Sequence, residues 1–202
     1  MEIKIFLYII IILSATFHEY GHAFVANFLG DDTAKREGRL TLNPLKHIDP
    51  LGTVIIPLVL LLTSGVFIGW AKPVPYNPYN LKDKKYGSLK VGLAGPGANF
   101  IIAILLGLIM RFYPSGLFVN PLFPQFLGLI VYINIFLGLF NLLPIAPFDG
   151  SKIFADLFPK QANIILSSGF AGLFLALMVG FFVIPPIARI LFLLIVGEGP
   201  NF

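Results

Sequence analysis

The run from Ile3 to Leu29 decides what kind of fold is open to this chain. It is almost wholly apolar and carries no charge from Ile5 to Phe17. It also exceeds the ~20 residues that an α-helix needs to cross the hydrocarbon core of a bilayer. Within a membrane the backbone must satisfy its own hydrogen bonds, which leaves helices and closed barrels. The same run then turns polar: His18, Glu19 and His22 fall within five residues. Residues four apart on a helix share a face, so both imidazoles point the same way with Glu19 beside them. This H-E-x-x-H spacing lets two imidazoles share one zinc ion and sets a glutamate next to it as a general base. Ionisable side chains at membrane depth are costly and mark function.

The rest of the chain carries the same signature. Of its 202 residues 57% are apolar and 12% charged, whereas soluble domains have about 45–50% and about 25%. The expectation is an all-α integral membrane bundle forming one domain over residues 1–202, with its core at 3–160 and C-terminal helices at 162–197. The polar stretches near Gly30–Pro50 and Trp70–Ser88 are too short for a separate soluble domain. The first apolar run is too long for a cleavable signal peptide and holds the reactive residues. With no cysteine, disulfides, thiolate metal sites and cysteine nucleophiles are excluded. The net charge of +4 is spread over loops without an aromatic-interleaved basic cluster, which argues against a nucleic-acid partner.

Four segments read as full spans: Ile3–Leu29, Leu89–Arg111, Phe126–Leu143 and Ala162–Ile184, the last broken by Pro185 and Pro186. Ile187–Val196 is too short to cross at ~1.5 Å per residue and reads as an interfacial or re-entrant piece. After the first helix, Arg39–Asn43 alternates polar and apolar between Gly38 and Pro44, the pattern of a short strand. Such an edge could capture an extended substrate segment by β-augmentation. Residues 51–70 are apolar but interrupted by Pro57, Gly65 and Gly69, and the loop that follows is proline-rich and then lysine-rich.

Lysine and arginine arbitrate the topology. If 51–70 dips in and returns, eleven of them lie on one side: Lys35, Arg36, Arg39, Lys46, Lys72, Lys82, Lys84, Lys85, Lys90, Lys152 and Lys160. Only Lys4, Arg111 and Arg189 lie opposite. Because positive residues favour the cytoplasm, the expected arrangement is four spans, a re-entrant hairpin at 51–70 and the N-terminus outside. The histidine motif then lies in the membrane toward its cytoplasmic side.

A catalytic zinc takes three protein ligands and keeps a position for water. The extended H-E-x-x-H-x-x-G-x-x-H pattern fails, since Val25 and Phe28 occupy the required places. Asp149 is the leading candidate for the third ligand. It follows an apolar span directly, in Asn141-Leu-Leu-Pro-Ile-Ala-Pro-Phe-Asp149-Gly150, where two prolines prevent a regular helix and Gly150 permits a sharp turn. His47 and Asp49 are the alternatives.

Taken together, His18–His22 in the first span, Gly95-Pro96-Gly97-Ala98-Asn99-Phe100 in a later one and N-x-x-P-x-x-P-x-D-G at Asn141–Gly150 resemble the site-2 protease family of intramembrane zinc metalloproteases. Gly38–Pro44 and His47–Pro50 are similar to its short prokaryotic branch without a PDZ domain. The resemblance implies one zinc ion per chain held by His18, His22 and Asp149, with Glu19 as base. It also implies that Asn99 and Asn141 help hold the substrate chain. Phe148 stands where the commonest form of the motif has leucine, a difference that bears on pocket shape. The implied reaction is peptide hydrolysis in or near transmembrane segments of single-span proteins in the lipid bilayer. The rival reading is a membrane zinc-binding or zinc-transport protein. It gives Glu19 no task and calls for more ionisable groups along a path. A di-iron oxidase needs many histidines, and three are too few.

Overall fold

Helix α1, Glu2–Phe28, sorts its side chains by face. Ile10, Ser14, His18, His22 and Ala26 form a buried stripe at intervals of four, while Ile5, Ile9, Leu13, Phe17, Phe24 and Phe28 are exposed. In a bilayer the outer row meets lipid and the inner row meets protein, so the polar residues of an apolar helix collect on one side. The computed structural model describes residues 2–63, 69–112, 122–163, 167 and 169–200. The chain divides into two compact units, Met1–Gly87 and Ser88–Phe202.

In the first unit, α1 ends at Gly30, whose φ of 102° is open to glycine at little cost. Asp31 N–H then bonds Ala26 O at 2.9 Å and Gly30 N–H bonds Asn27 O at 3.0 Å, the paired closure of a Schellman motif. Asp31 is fully buried and accepts from the Thr33 hydroxyl at 2.5 Å, Thr33 N–H at 3.2 Å, Asn77 N–H at 2.6 Å and Asn80 Nδ2 at 3.0 Å. Burial works to raise its pKa. The hydrogen bonds from Thr33, Asn77 and Asn80 outweigh that and hold the carboxyl below the ordinary 3.8. With the folded pKa depressed, the contribution to stability is fully present above the ordinary value and is lost as pH falls through the lower folded value. Thermal unfolding followed from about pH 6 to pH 3 should therefore show Asp31→Asn less acid-sensitive than the wild type. At neutral pH the same variant should be about 2 kcal/mol less stable.

A short helix α2, Thr33–Arg36, follows. The expected strand at Arg39–Asn43 does not form, and no strand occurs among the described residues. Side chains satisfy this stretch locally, so no ladder is needed. Thr41 Oγ1 accepts Asn43 N–H at 3.2 Å, and Asn43 Oδ1 accepts Leu45 N–H at 3.1 Å, capping the 3₁₀ turn Pro44–Lys46. Buried Arg39 reaches instead to the carbonyls of Lys72 and Pro73.

The described ends of the stretch expected as a hairpin meet each other. A π-helical turn, Pro50–Ile55, leads into α3, Ile56–Thr63. On the far side Trp70 N–H bonds Gly52 O at 3.1 Å, and Thr53 Oγ1 donates to Trp70 O at 2.8 Å. Gly52 lies against the Trp70 indole, where any side chain would overlap it. Gly65 lies outside the described residues.

The second unit begins with α4, Gly87–Phe112, which starts one residue before the unit boundary and carries Pro96 in its interior. Next come α5, Leu122–Asn141, and α6, Asp149–Leu157. The last helices are α7, Gly169–Phe182, and α8, Ile184–Val196. Residues 113–121 lie outside the described residues, as do 164–166 and 168 at the start of the expected span 162–184. Helices α1, α4 and α5 are each long and apolar enough to cross a membrane. Among the described residues a fourth crossing is counted where α7 and α8, bent by 45° at Val183, are taken as one broken span. Three to four spans agree with the expected membrane bundle, with α7 and α8 forming either a broken span or a re-entrant loop. Pro185 and Pro186 do not end a helix; they lie in the first turn of α8, where a missing N–H leaves no intrahelical bond unmade. Ala188, Phe192 and Val196 of α8 then join Ala103 of α4 and Val131 and Ile135 of α5 in the buried core of this unit. Gly138 lets Phe100 approach its helix, since a Cβ at that position would lie only 2.9 Å from the ring. Small residues at such crossings replace the hydrophobic drive that lipid removes.

Candidate active site

Two buried imidazoles face each other on α1. His18 Nε2 and His22 Nε2 lie 3.1 Å apart, with ring planes at 82°. Two nitrogens that share a tetrahedral zinc at about 2.0–2.1 Å lie about 3.3 Å apart, so this pair suits the ion without rearrangement. The fit follows from helix geometry: one turn separates the residues, and both side chains lean over the same face. Glu19, between them in sequence, is half-buried, and its Oε2 accepts the Val74 N–H at 2.7 Å.

The two alternative ligands make local contacts in the same unit. His47 is buried with Nε2 2.8 Å from Thr41 O, and Asp49 Oδ1 accepts Leu51 N–H at 3.0 Å and Gly52 N–H at 2.7 Å as a cap. Among the described residues neither joins His18 and His22 in a ligand cluster.

In the second unit, Asp149 is the first residue of α6, not part of an unwound segment; residues 142–148 before it are the non-helical part. It is buried, and its Oδ1 lies 2.8 Å from Lys152 Nζ, three residues on, the spacing at which helical side chains meet. Two contacts within this unit place α6. Asp156 Oδ2 accepts Leu89 N–H at 2.7 Å at the start of α4. Gly92 of α4 sits under α6, and a Cβ there would be 3.3 Å from Asp149 O and 3.2 Å from Ile153 Cγ1. Gly150 has no positive φ; its smallness matters because a Cβ would overlap the Leu142 and Leu143 carbonyls.

Asn99 is fully buried on α4 and donates from Nδ2 to Asn134 Oδ1 of α5 at 2.9 Å, while Asn134 Nδ2 donates to Ile130 O at 2.9 Å. Asn141 closes α5 and donates to Leu137 O at 3.0 Å. Asn134, Lys152 and the Val74 N–H escape sequence reasoning. Only Lys152 leaves a trace there, as a cation one turn after Asp149.

Comparison with known proteins agrees with these features. The profile of peptidase family M50 matches residues 117–185, which include the Asn141–Gly150 motif. YwhC of Bacillus subtilis, provisionally named a zinc metalloprotease, is 42% identical over 159 residues, covering 76% of this chain and 69% of that protein. Rip2 of Mycolicibacterium smegmatis, named in the same provisional way, is 33% identical over 69% of this chain and 52% of its own length. The zinc metalloprotease MJ0392 of Methanocaldococcus jannaschii is 29% identical over 82% of this chain, which spans 38% of that protein. No solved structure gives a significant match. On the strength of its family profile and of 42% identity to a relative that it covers by more than two thirds, the chain belongs to peptidase family M50, the site-2 protease family of membrane zinc metalloproteases.

Proposed function

We propose that His18, His22 and Asp149 hold one zinc ion and that Glu19 is the general base of a protease acting on single-span membrane proteins. The observation that carries this reading is the buried His18–His22 pair, with both Nε2 atoms turned to one point and Glu19 adjacent. Asp149 supplies the carboxylate that a His₂-carboxylate set requires. It is buried, lies in the Asn141–Gly150 motif and is preferred because neither His47 nor Asp49 joins the two histidines in a ligand cluster.

When bound, zinc lowers the pKa of a coordinated water to about 7 and polarises a carbonyl. Glu19 takes a proton from the attacking water and delivers it to the leaving nitrogen as the C–N bond breaks. The buried stripe of α1 keeps the histidines out of lipid, and the exposed stripe seats the helix in it. Asn141, half-buried at the end of α5, is the better placed of the two asparagines to meet substrate, since Asn99 is fully buried. The protein is a multi-pass membrane protein. Its N-terminus lies outside and its active site opens toward the cytoplasm, as the eleven-to-three distribution of basic residues favours. One domain over residues 1–202 carries the reaction.

The test is metal content together with cleavage of a single-span model substrate by detergent-purified protein. Wild type should hold about one zinc per chain and cut; His22→Ala and Asp149→Ala should lose most of both. Full zinc in Asp149→Ala would reassign the third ligand.

A further inference from the structure

Between Ala71 and Asn77 the chain runs without helical turns, and four contacts within the first unit pin it. Lys72 N–H donates to His47 O at 2.9 Å. Arg39 Nη2 donates to Lys72 O at 2.6 Å and Pro73 O at 3.3 Å. Val74 N–H donates to Glu19 Oε2 at 2.7 Å, and Asn77 N–H to Asp31 Oδ2 at 2.6 Å. Two of the side chains that hold the segment, Arg39 and Asp31, are buried and charged. Arg39 even leaves its Nε buried without a partner. Burying such groups is costly, and here the cost goes into fixing one stretch of main chain. The segment is also stiff by composition. Pro73 and Pro75 have fixed φ and no N–H, so Pro-Val-Pro offers a single main-chain donor, and that donor meets Glu19.

We propose that residues 72–77 are a rigid template that orients the catalytic glutamate. The Val74 N–H holds Oε2 and leaves Oε1 for the proton of the attacking water, and Arg39 is a positioning residue that acts through this segment. The inference rests on the reading of Glu19 as base. A glutamate side chain has three rotatable bonds, and holding it in one orientation beforehand removes that ordering from the barrier. A lid would hang on few contacts and open readily; a segment pinned at four points, two of them by buried charged side chains, behaves as part of the frame.

The experiment compares Val74→Pro, which deletes the one N–H, with Glu19→Gln and with the double variant, reading kcat, KM and zinc content on the single-span model substrate. Val74→Pro should lower kcat about 10- to 100-fold, since small misplacements of reacting groups have effects of that size. KM should stay within about twofold and zinc should stay at the wild-type level. Val74→Ala, which keeps the N–H, should recover most of the loss. The double variant should be no slower than Glu19→Gln, because the template acts only through that side chain. Wild-type kcat in Val74→Pro, with Glu19→Gln inactive, overturns the template and leaves the base in place. A further loss in the double variant also overturns it. Wild-type activity in Glu19→Gln removes the base itself. Should Val74→Pro lose zinc, Arg39→Met decides: reduced kcat with zinc and KM kept supports the template, whereas zinc loss or wild-type kcat there overturns it.

Discussion

Glu19→Gln is expected to lower peptide-bond hydrolysis by about 10²- to 10⁴-fold, the usual contribution of a positioned general base, and to leave zinc content unchanged. The amide is isosteric with the carboxylate and can still accept the Val74 N–H through its oxygen, so the 2.7 Å contact and the local fold survive. What disappears is the capacity to take a proton. The two imidazoles, 3.1 Å apart on the same helix face, are untouched. The loss corresponds to about 3–5 kcal/mol of transition-state stabilisation. It separates a protease from a protein that only binds or moves zinc, because neither of those tasks uses a base. Cleavage at the wild-type rate would remove Glu19 from the mechanism. Loss of zinc along with activity would make it a structural partner of the histidines.

Gly150→Ala should be the most damaging change that touches no reactive atom. The added methyl would overlap the carbonyl oxygens of Leu142 and Leu143, which are main chain and cannot swing aside. Either α6 shifts or the 142–148 segment does, at a cost of about 1–3 kcal/mol or more. Asp149 is the residue next door and begins the helix that must move. The expected result is a lowered thermal midpoint, zinc well below stoichiometric and activity down by about 100-fold. The Leu89 N–H bond to Asp156 and the seat of α6 over Gly92 anchor this helix to α4, so the strain has no easy outlet. A variant with normal zinc and rate would show that the loop relaxes without moving Asp149.

Chain order along one helix or one loop was legible without coordinates. Hydropathy placed α1, α4 and α5 because lipid exposure acts on each segment separately. The four-residue spacing of His18 and His22 determined their shared face because helix geometry is local. The unusual density of proline before Asp149 announced a non-helical approach for the same reason. By contrast, most of what failed or was missed depends on partners distant in sequence. Arg39–Asn43 alternates as a strand would, yet Arg39 bonds carbonyls 33 and 34 residues away and the rest caps a turn. Asn99 meets Asn134 across 35 residues, and Val74 meets Glu19 across 55. Pro185 and Pro186 fit a helix end and a helix start equally well until the bend at Val183 decides between them. The solvent this protein lives in and the chemistry open to it could be read from residue type and short spacing. Which backbone groups meet those side chains came from the tertiary fold, because each such contact closes a loop whose partner no local pattern specifies.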